Sequence, residues 1–150
     1  MVIGLNRKAK YTGDHSMEGD GGEGLRLRQD VRTSHAILVV EDEVLVRLMI
    51  ADELRNAGYD VIEAANADAA LDVLAHVSSV SLVISDIRMP GSMDGLSFAQ
   101  LIRSEYPATR IVLASGDVAN VANVAIDHDG FFFKPYDPRK MVDHVKMLLD

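Results

Sequence analysis

"SLVISDIRMPGSMDG", Ser81 to Gly95, carries an apolar run into a single carboxylate, Asp86, and then breaks at Met-Pro-Gly. A short, continuous aliphatic run reads as a strand covered on both faces, with Val80 as its first residue. The segment that follows, "LSFAQLIRSEY" (Leu96 to Tyr106), sets Leu96, Ala99, Ile102 and Tyr106 on one side of a helix. The stretch is therefore a strand, a turn and a helix, with an acid at the carboxyl end of the strand.

The same unit recurs on either side. "AILVV" (Ala36 to Val40) is a buried strand, and "EVLVRLMIADELRNAG" places Val46, Ile50, Leu54 and Ala57 on one helical stripe that Gly58 stops. "YDVIEA" leads to "NADAALDVLAHV", in which Asn66 is an N-cap and Ala67, Ala70, Leu71 and Leu74 face inward. "RIVLAS" is a fourth strand, followed by a weaker helix around Val118 to Ile126. "GFFF" is a fifth, and Asp137 caps a last helix, with Pro138 in its first turn and Met141, Val142, Val145, Leu148 and Leu149 on its stripe. Five strands alternating with helices, joined by right-handed crossovers, predict an α/β fold: a doubly wound five-stranded parallel sheet with helices on both faces.

Residues 1–34 differ from the rest. "TGDHSMEGDGGEGLRLRQD" is rich in glycine and charge and forms no apolar face, so it is expected to be a disordered extension, with 35–150 as the folded domain. Its "RLRQDVR" run falls short of a polybasic anchor and reads as a solvated tail. Met17 is an alternative start.

The chain has 150 residues, 48% of them hydrophobic, which is enough for one domain with a full core. It carries a formal charge of −8. Of its 15 Lys and Arg, nine lie after residue 34, against 18 of its 23 Asp and Glu. Counterion release on nucleic acid needs a basic surface that such a domain does not offer, so no nucleic-acid partner is expected. No apolar run approaches the roughly 20 residues of a membrane span, and no signal-peptide pattern opens the chain; a cytoplasmic protein without a membrane partner is the expectation. With no cysteine, disulfides, thiolate nucleophiles and cysteine-ligated zinc are excluded.

In doubly wound sheets ligands sit beyond the carboxyl ends of the strands, near the switch point. There the sequence puts Glu41-Asp42, Asp86, Ser115-Gly116 and Lys134-Pro135. Singly each has an ordinary explanation: a helix cap, a turn, a solvated lysine. Jointly they are three carboxylates, a hydroxyl and an ammonium on one rim. Clustered carboxylates stay ionised cheaply only when they share a cation. Mg²⁺ suits an all-oxygen set, whereas zinc lacks cysteine or histidine here. A carboxylate can also act as a nucleophile toward phosphorus, with a lysine and a hydroxyl neutralising the transferred group.

"ILVVEDE", "LVISDIRMPGSMDG", "IVLASGD" and "FFFKPYDP", in this order and spacing, resemble the four signature blocks of the response-regulator receiver domain of two-component signalling. The resemblance covers about residues 35 to 150 and includes the family's spacing of 44 positions between Asp42 and Asp86. It implies a flavodoxin-like receiver fold in which Asp86 accepts a phosphoryl group from a phosphohistidine. Asp42 would hold Mg²⁺ directly, Glu41 through water, and the backbone carbonyl of Arg88 would be a further ligand. Ser115 would be the switch hydroxyl, Lys134 the phosphate-pairing cation before a cis Pro135, and Phe131 the aromatic that changes packing, with plain core as its alternative.

Two departures stand out. "MPGSMDG" has one residue more than the family's usual loop, so the turn after Asp86 should be reshaped. Ser115 and Lys134 are 19 positions apart, about three fewer than usual and close to one helical turn, so a shortened fourth helix is expected. Arg88 and Asp117, each two residues beyond a site residue, would flank the phosphoryl entrance in such a domain, where they can pair and slow attacking water, with two independently solvated charges as the alternative.

The expected function is that of a stand-alone single-domain regulator, a phosphoacceptor rather than an enzyme. Its partners would be a histidine kinase, a histidine phosphotransfer protein or both, with an unknown downstream protein target. Leu45, Leu48 and Met49 are candidates for docking a kinase helix bundle, although at least one of them is expected in the core. Two alternatives remain open: a non-phosphorylated receiver-like binding module, and an aspartyl-phosphate hydrolase, which Arg88 disfavours because such hydrolases place an acid there. A nucleotide or flavin module is unsupported, because "EDE" follows the first strand where a glycine-rich loop would be needed.

Overall fold

The computed structural model describes residues 35–117 and 125–150. Five parallel strands, β1 (Ala36–Val40), β2 (Asp60–Ala64), β3 (Val80–Asp86), β4 (Arg110–Ser115) and β5 (Gly130–Phe133), form one sheet in the order β2-β1-β3-β4-β5. The described helices are α1 (Val44–Asn56), α2 (Ala67–His76), α3 (Gly95–Glu105) and α4 (Pro138–Leu149). This is the doubly wound α/β architecture expected from the strand–helix alternation.

Each central strand feeds both faces, which is why it reads as a continuous apolar run. Leu38, Val40, Val83, Ile111 and Leu113 pack with α2 and α3, while Ile37, Val39, Leu82, Ile84 and Val112 pack with α1 and α4. The chain leaves β1 for β2 on one side and finds β3 on the other, so the switch point lies at the carboxyl end of β1. There Val40 pairs with Ser85, and Asp86 pairs with Ala114. That register sets Glu41-Asp42 beside Asp86 and Ser115 just beyond.

Side-chain caps start three helices. Asn66 accepts from the Ala69 N–H, Asp94 from Ser97 and Asp137 from Arg139. The start of α1 is different: Glu43 makes no side-chain cap, and its own N–H donates to Glu41 Oε1 at 3.1 Å.

Several inward positions differ from the sequence stripes. Ala57 is the exposed C-cap of α1, and Ala51 is buried in its place; Val73 and Phe98 are buried on α2 and α3. Leu45, Leu48 and Met49 are all exposed, so none of them joins the core. Their helix carries apolar residues on several sides, and the side that is covered meets β1, β2 and α4, where Ile50 and Leu54 pack with Met141, Val142 and Val145. The expected disorder of 1–34 falls outside the described residues, as does the shortened helix around Val118 to Ile126, apart from Ala125 and Ile126, which are in no helix.

Candidate functional site

Asp86 is the last residue of β3 and is held from several directions. Its Oδ2 accepts from Lys134 Nζ at 2.8 Å, and its Oδ1 accepts from the Arg88 N–H at 3.1 Å. The buried Ser85 hydroxyl donates to the Asp86 carbonyl at 3.0 Å, and the Ile87 N–H donates to Ala114. Gly95 closes the site from below. Its N–H donates to the Ile87 carbonyl, and a Cβ built on it would stand 2.0 Å from the Asp86 carbonyl oxygen. Only glycine lets α3 begin this close to the strand end.

Glu41 and Asp42 face Asp86 across the switch point, and carboxylate oxygens of the three lie within 4.8 Å of one another. Glu41 is buried, with Oε1 on the Glu43 N–H and Oε2 on Lys134 Nζ. Asp42 is exposed and lines an open cleft of about 480 Å³ with Arg88, Pro90 and Asp94. Three acids and no nitrogen or sulfur donor suit a hard divalent cation that keeps part of its water, so the donor set fits Mg²⁺.

Lys134 directly follows β5, where its N–H donates to the Ser115 carbonyl and its ammonium bridges Glu41 and Asp86. Burial pulls its pKa down, but the bonds to Asp86 and Glu41 outweigh this and hold it above the usual lysine value. Burial pushes the Glu41 carboxyl up, and the charge of Asp86 adds to this, while the bonds from Lys134 and the Glu43 N–H offset part of the rise. Tyr136, stacked edge-on against Phe132, is pushed upward by burial and by the charges of Glu41 and Asp86, so its phenol stays protonated. The Lys134–Pro135 peptide bond is cis.

Ser115 is fully buried, and its hydroxyl accepts from the Asp117 N–H at 3.1 Å. Arg88 reaches over the rim and pairs with Asp117 through Nη2 and Oδ2. Phe131 is partly buried against the core and meets Phe133 edge-on at 5.1 Å between centroids. In the loop after Asp86, Gly91 takes φ +117°, and the Ser92 hydroxyl donates to the Asp68 carboxylate in the first turn of α2.

Every site residue singled out in the sequence thus lies on this rim, apart from Phe131, which lies within β5. Two participants carried no sequence signal that was read. Gly95 is the first residue of α3, one before the Leu96 start expected from the sequence, and Arg47 on α1 donates to the Glu41 carbonyl at 2.7 Å. The pairing of the Glu63 strand beside β1 was needed to see the second.

Comparison with known proteins agrees with the geometry. The family model described as "Response regulator receiver domain" matches residues 37–146. The chain is 33% identical over 115 residues to "Probable transcriptional regulator ycf27" of Cyanophora paradoxa, covering 75% of this chain and 47% of that one. It is 37% identical over 112 residues to "Response regulator protein FleR" of Pseudomonas aeruginosa, covering 73% and 23%. It therefore spans about half or less of the length of these curated relatives. Among solved structures, TrrA of Thermotoga maritima, determined in complex with Mg²⁺-BeF, superposes with TM-score 0.70 at 31% identity over 77% of this chain and 99% of that one. The five-stranded sheet, the acidic cluster at its switch point and these matches together place the chain in the response regulator receiver domain family of two-component signalling.

Proposed function

We propose that the chain is a phosphoacceptor switch in which Asp86 takes a phosphoryl group from a phosphohistidine of a histidine kinase or a histidine phosphotransfer protein. The observation that carries this reading is the bridge from Lys134 Nζ to Asp86 and Glu41 beside the Asp42 carboxylate. An acid poised against an ammonium can attack phosphorus with one oxygen while the lysine receives charge on the transferred group. Asp42, Asp86 and the Arg88 carbonyl would hold Mg²⁺, with Glu41 at one remove through water, as the family resemblance implies. When bound, Mg²⁺ supplies charge neutralisation on the phosphoryl oxygens.

Ser115 and Phe131 are the readout in this proposal. The Ser115 hydroxyl, now turned to the Asp117 N–H, would move to an oxygen of the new phosphoryl group, and Phe131 would repack beside it. The exposed Leu45, Leu48 and Met49 on α1, next to the exposed Asp42, give the phosphodonor an apolar place to dock.

Incubation with a small acyl phosphate and Mg²⁺ should label the protein on one carboxylate, and Asp86→Asn or addition of EDTA should abolish the label. Equal labelling of the variant would overturn the assignment.

The pair of Arg88 with Asp117 is proposed as a gate over Asp86 that slows attacking water. Either Arg88→Ala or Asp117→Ala should shorten the lifetime of the phosphorylated protein by about threefold to tenfold, in keeping with a pair exposed on one side whose strength is modest. Unchanged lifetimes in both variants would leave two charges with no gating role.

A further inference from the structure

The acidic turn between β1 and α1 brings Glu41 and Asp42 together with Asp86, yet the helix that follows it has no side-chain cap and no acid in its first turn. The turn is held at its start by the Glu41 N–H, which donates to the Ala64 carbonyl of β2 at 3.0 Å, and by the Glu43 N–H on Glu41 Oε1, and one side chain adds to these. Arg47, one turn into α1, reaches back and donates from Nη1 to the Glu41 carbonyl at 2.7 Å. Its Nε faces Glu63 Oε1 at 3.5 Å, and the other Glu63 oxygen accepts from Arg55 at 2.8 Å. Glu63 is fixed in turn by β2, where it stands opposite Val39 in the sheet register.

The Arg47 and Glu63 side chains are only 16% and 21% exposed, so two charges have been drawn out of water to make this contact. A helix–sheet bridge alone is already provided by Arg55, which also donates to the Val61 carbonyl. Among the described residues, Arg47 is the side chain that carries this Glu63 network on to the Glu41 carbonyl. We infer that Arg47 is a positioning residue, braced by Glu63, that fixes the Glu41-Asp42 turn in the geometry needed to share a divalent cation with Asp86. The part of this that concerns the cation rests on the reading of the three carboxylates as a Mg²⁺ site, whereas the bracing of the turn does not.

Partners that orient metal ligands commonly change affinity by about tenfold or more when removed. Arg47→Met should therefore weaken Mg²⁺ binding about tenfold by calorimetry, and Glu63→Gln should weaken it less. Arg55→Met, which cuts the same bridge without touching the turn, should stay within about twofold of wild type even if its melting temperature falls as far. In metal-free protein, exchange of the Glu43 amide, which is bonded to Glu41 Oε1, should accelerate in Arg47→Met and not in Arg55→Met. Arg47→Lys, which keeps a donor but loses the fork, should recover part of both effects.

Unchanged Glu43 exchange in Arg47→Met, or equal effects in Arg47→Met and Arg55→Met, would overturn the inference. Absence of Mg²⁺ binding by the wild-type protein together with accelerated Glu43 exchange in Arg47→Met would instead overturn the metal reading and leave the bracing role supported.

Discussion

Lys134→Ala should bind Mg²⁺ more tightly than the wild type and yet lose phosphoryl acceptance. The Lys134 ammonium sits on Glu41 and Asp86, two of the three acids available to a cation, so it repels any cation that enters the site. Two unit charges at about 5 Å and an effective dielectric near 20 interact by about 3 kcal/mol, ample for a tenfold gain in affinity by calorimetry. Acceptance should fall about a hundredfold or more, the usual consequence of removing one donor aimed at developing charge.

The metal-free variant should also be less stable by about 1–3 kcal/mol, because two carboxylates lose their bonded partner. The pH dependence has a definite sign. Lys134 is held above its ordinary 10.5 in the fold, so its contribution is complete below that pH and disappears as pH rises through the folded value. The alkaline loss of stability should be shallower in the variant. Unchanged Mg²⁺ affinity, or labelling at the wild-type rate, would refute this account of Lys134.

Gly95→Ala should be the most damaging single-methyl change in the domain. The added carbon would lie 2.0 Å from the Asp86 carbonyl oxygen and 2.5 Å from Ile87 Cα, both backbone atoms that no rotamer change can move aside. Overpacking of this kind costs about 3 kcal/mol, which in a domain of this size lowers the melting temperature by about 10 °C or more. Because the obstructed carbonyl belongs to Asp86, labelling should slow even at temperatures where the variant is folded. Gly116→Ala is the control. Its new carbon would meet Lys134 Cβ at 3.8 Å, an ordinary contact, and its stability should stay within about 0.5 kcal/mol of wild type. A Gly95→Ala protein that melts with the wild type would show that α3 has room to retreat.

The strands were legible because a sheet covered on both faces demands uninterrupted apolar residues, and "AILVV", "VSLVIS" and "RIVLAS" supply them. The rim was legible for a related reason: the first residue after each run has to stand at the carboxyl edge, so Glu41-Asp42, Asp86 and Lys134 could be gathered without knowing the strand order. Helix faces were less so. In α1, apolar residues occur on several sides, and the choice between Ala51 and Ala57 depends on where Asn56 ends the helix and which side meets the sheet. Leu45 and Met49 cannot be told from core residues until the sheet is in place. The Arg47–Glu63 contact depends on β2 lying beside β1 in a register that opposes Glu63 to Val39, a pairing that no local pattern encodes.

Glu41 and Lys134, which meet in the site, are 93 positions apart, and Asp86 and Lys134 are 48 apart. The lysine arrives directly after β5, an edge strand and the last to be synthesised. Ribosomes make protein from the N-terminus at roughly 5–20 residues per second, so a nascent chain displays its three acids for some seconds before their ammonium partner exists. In the proposed switch, competence to accept a phosphoryl group would therefore come only with closure of the sheet edge.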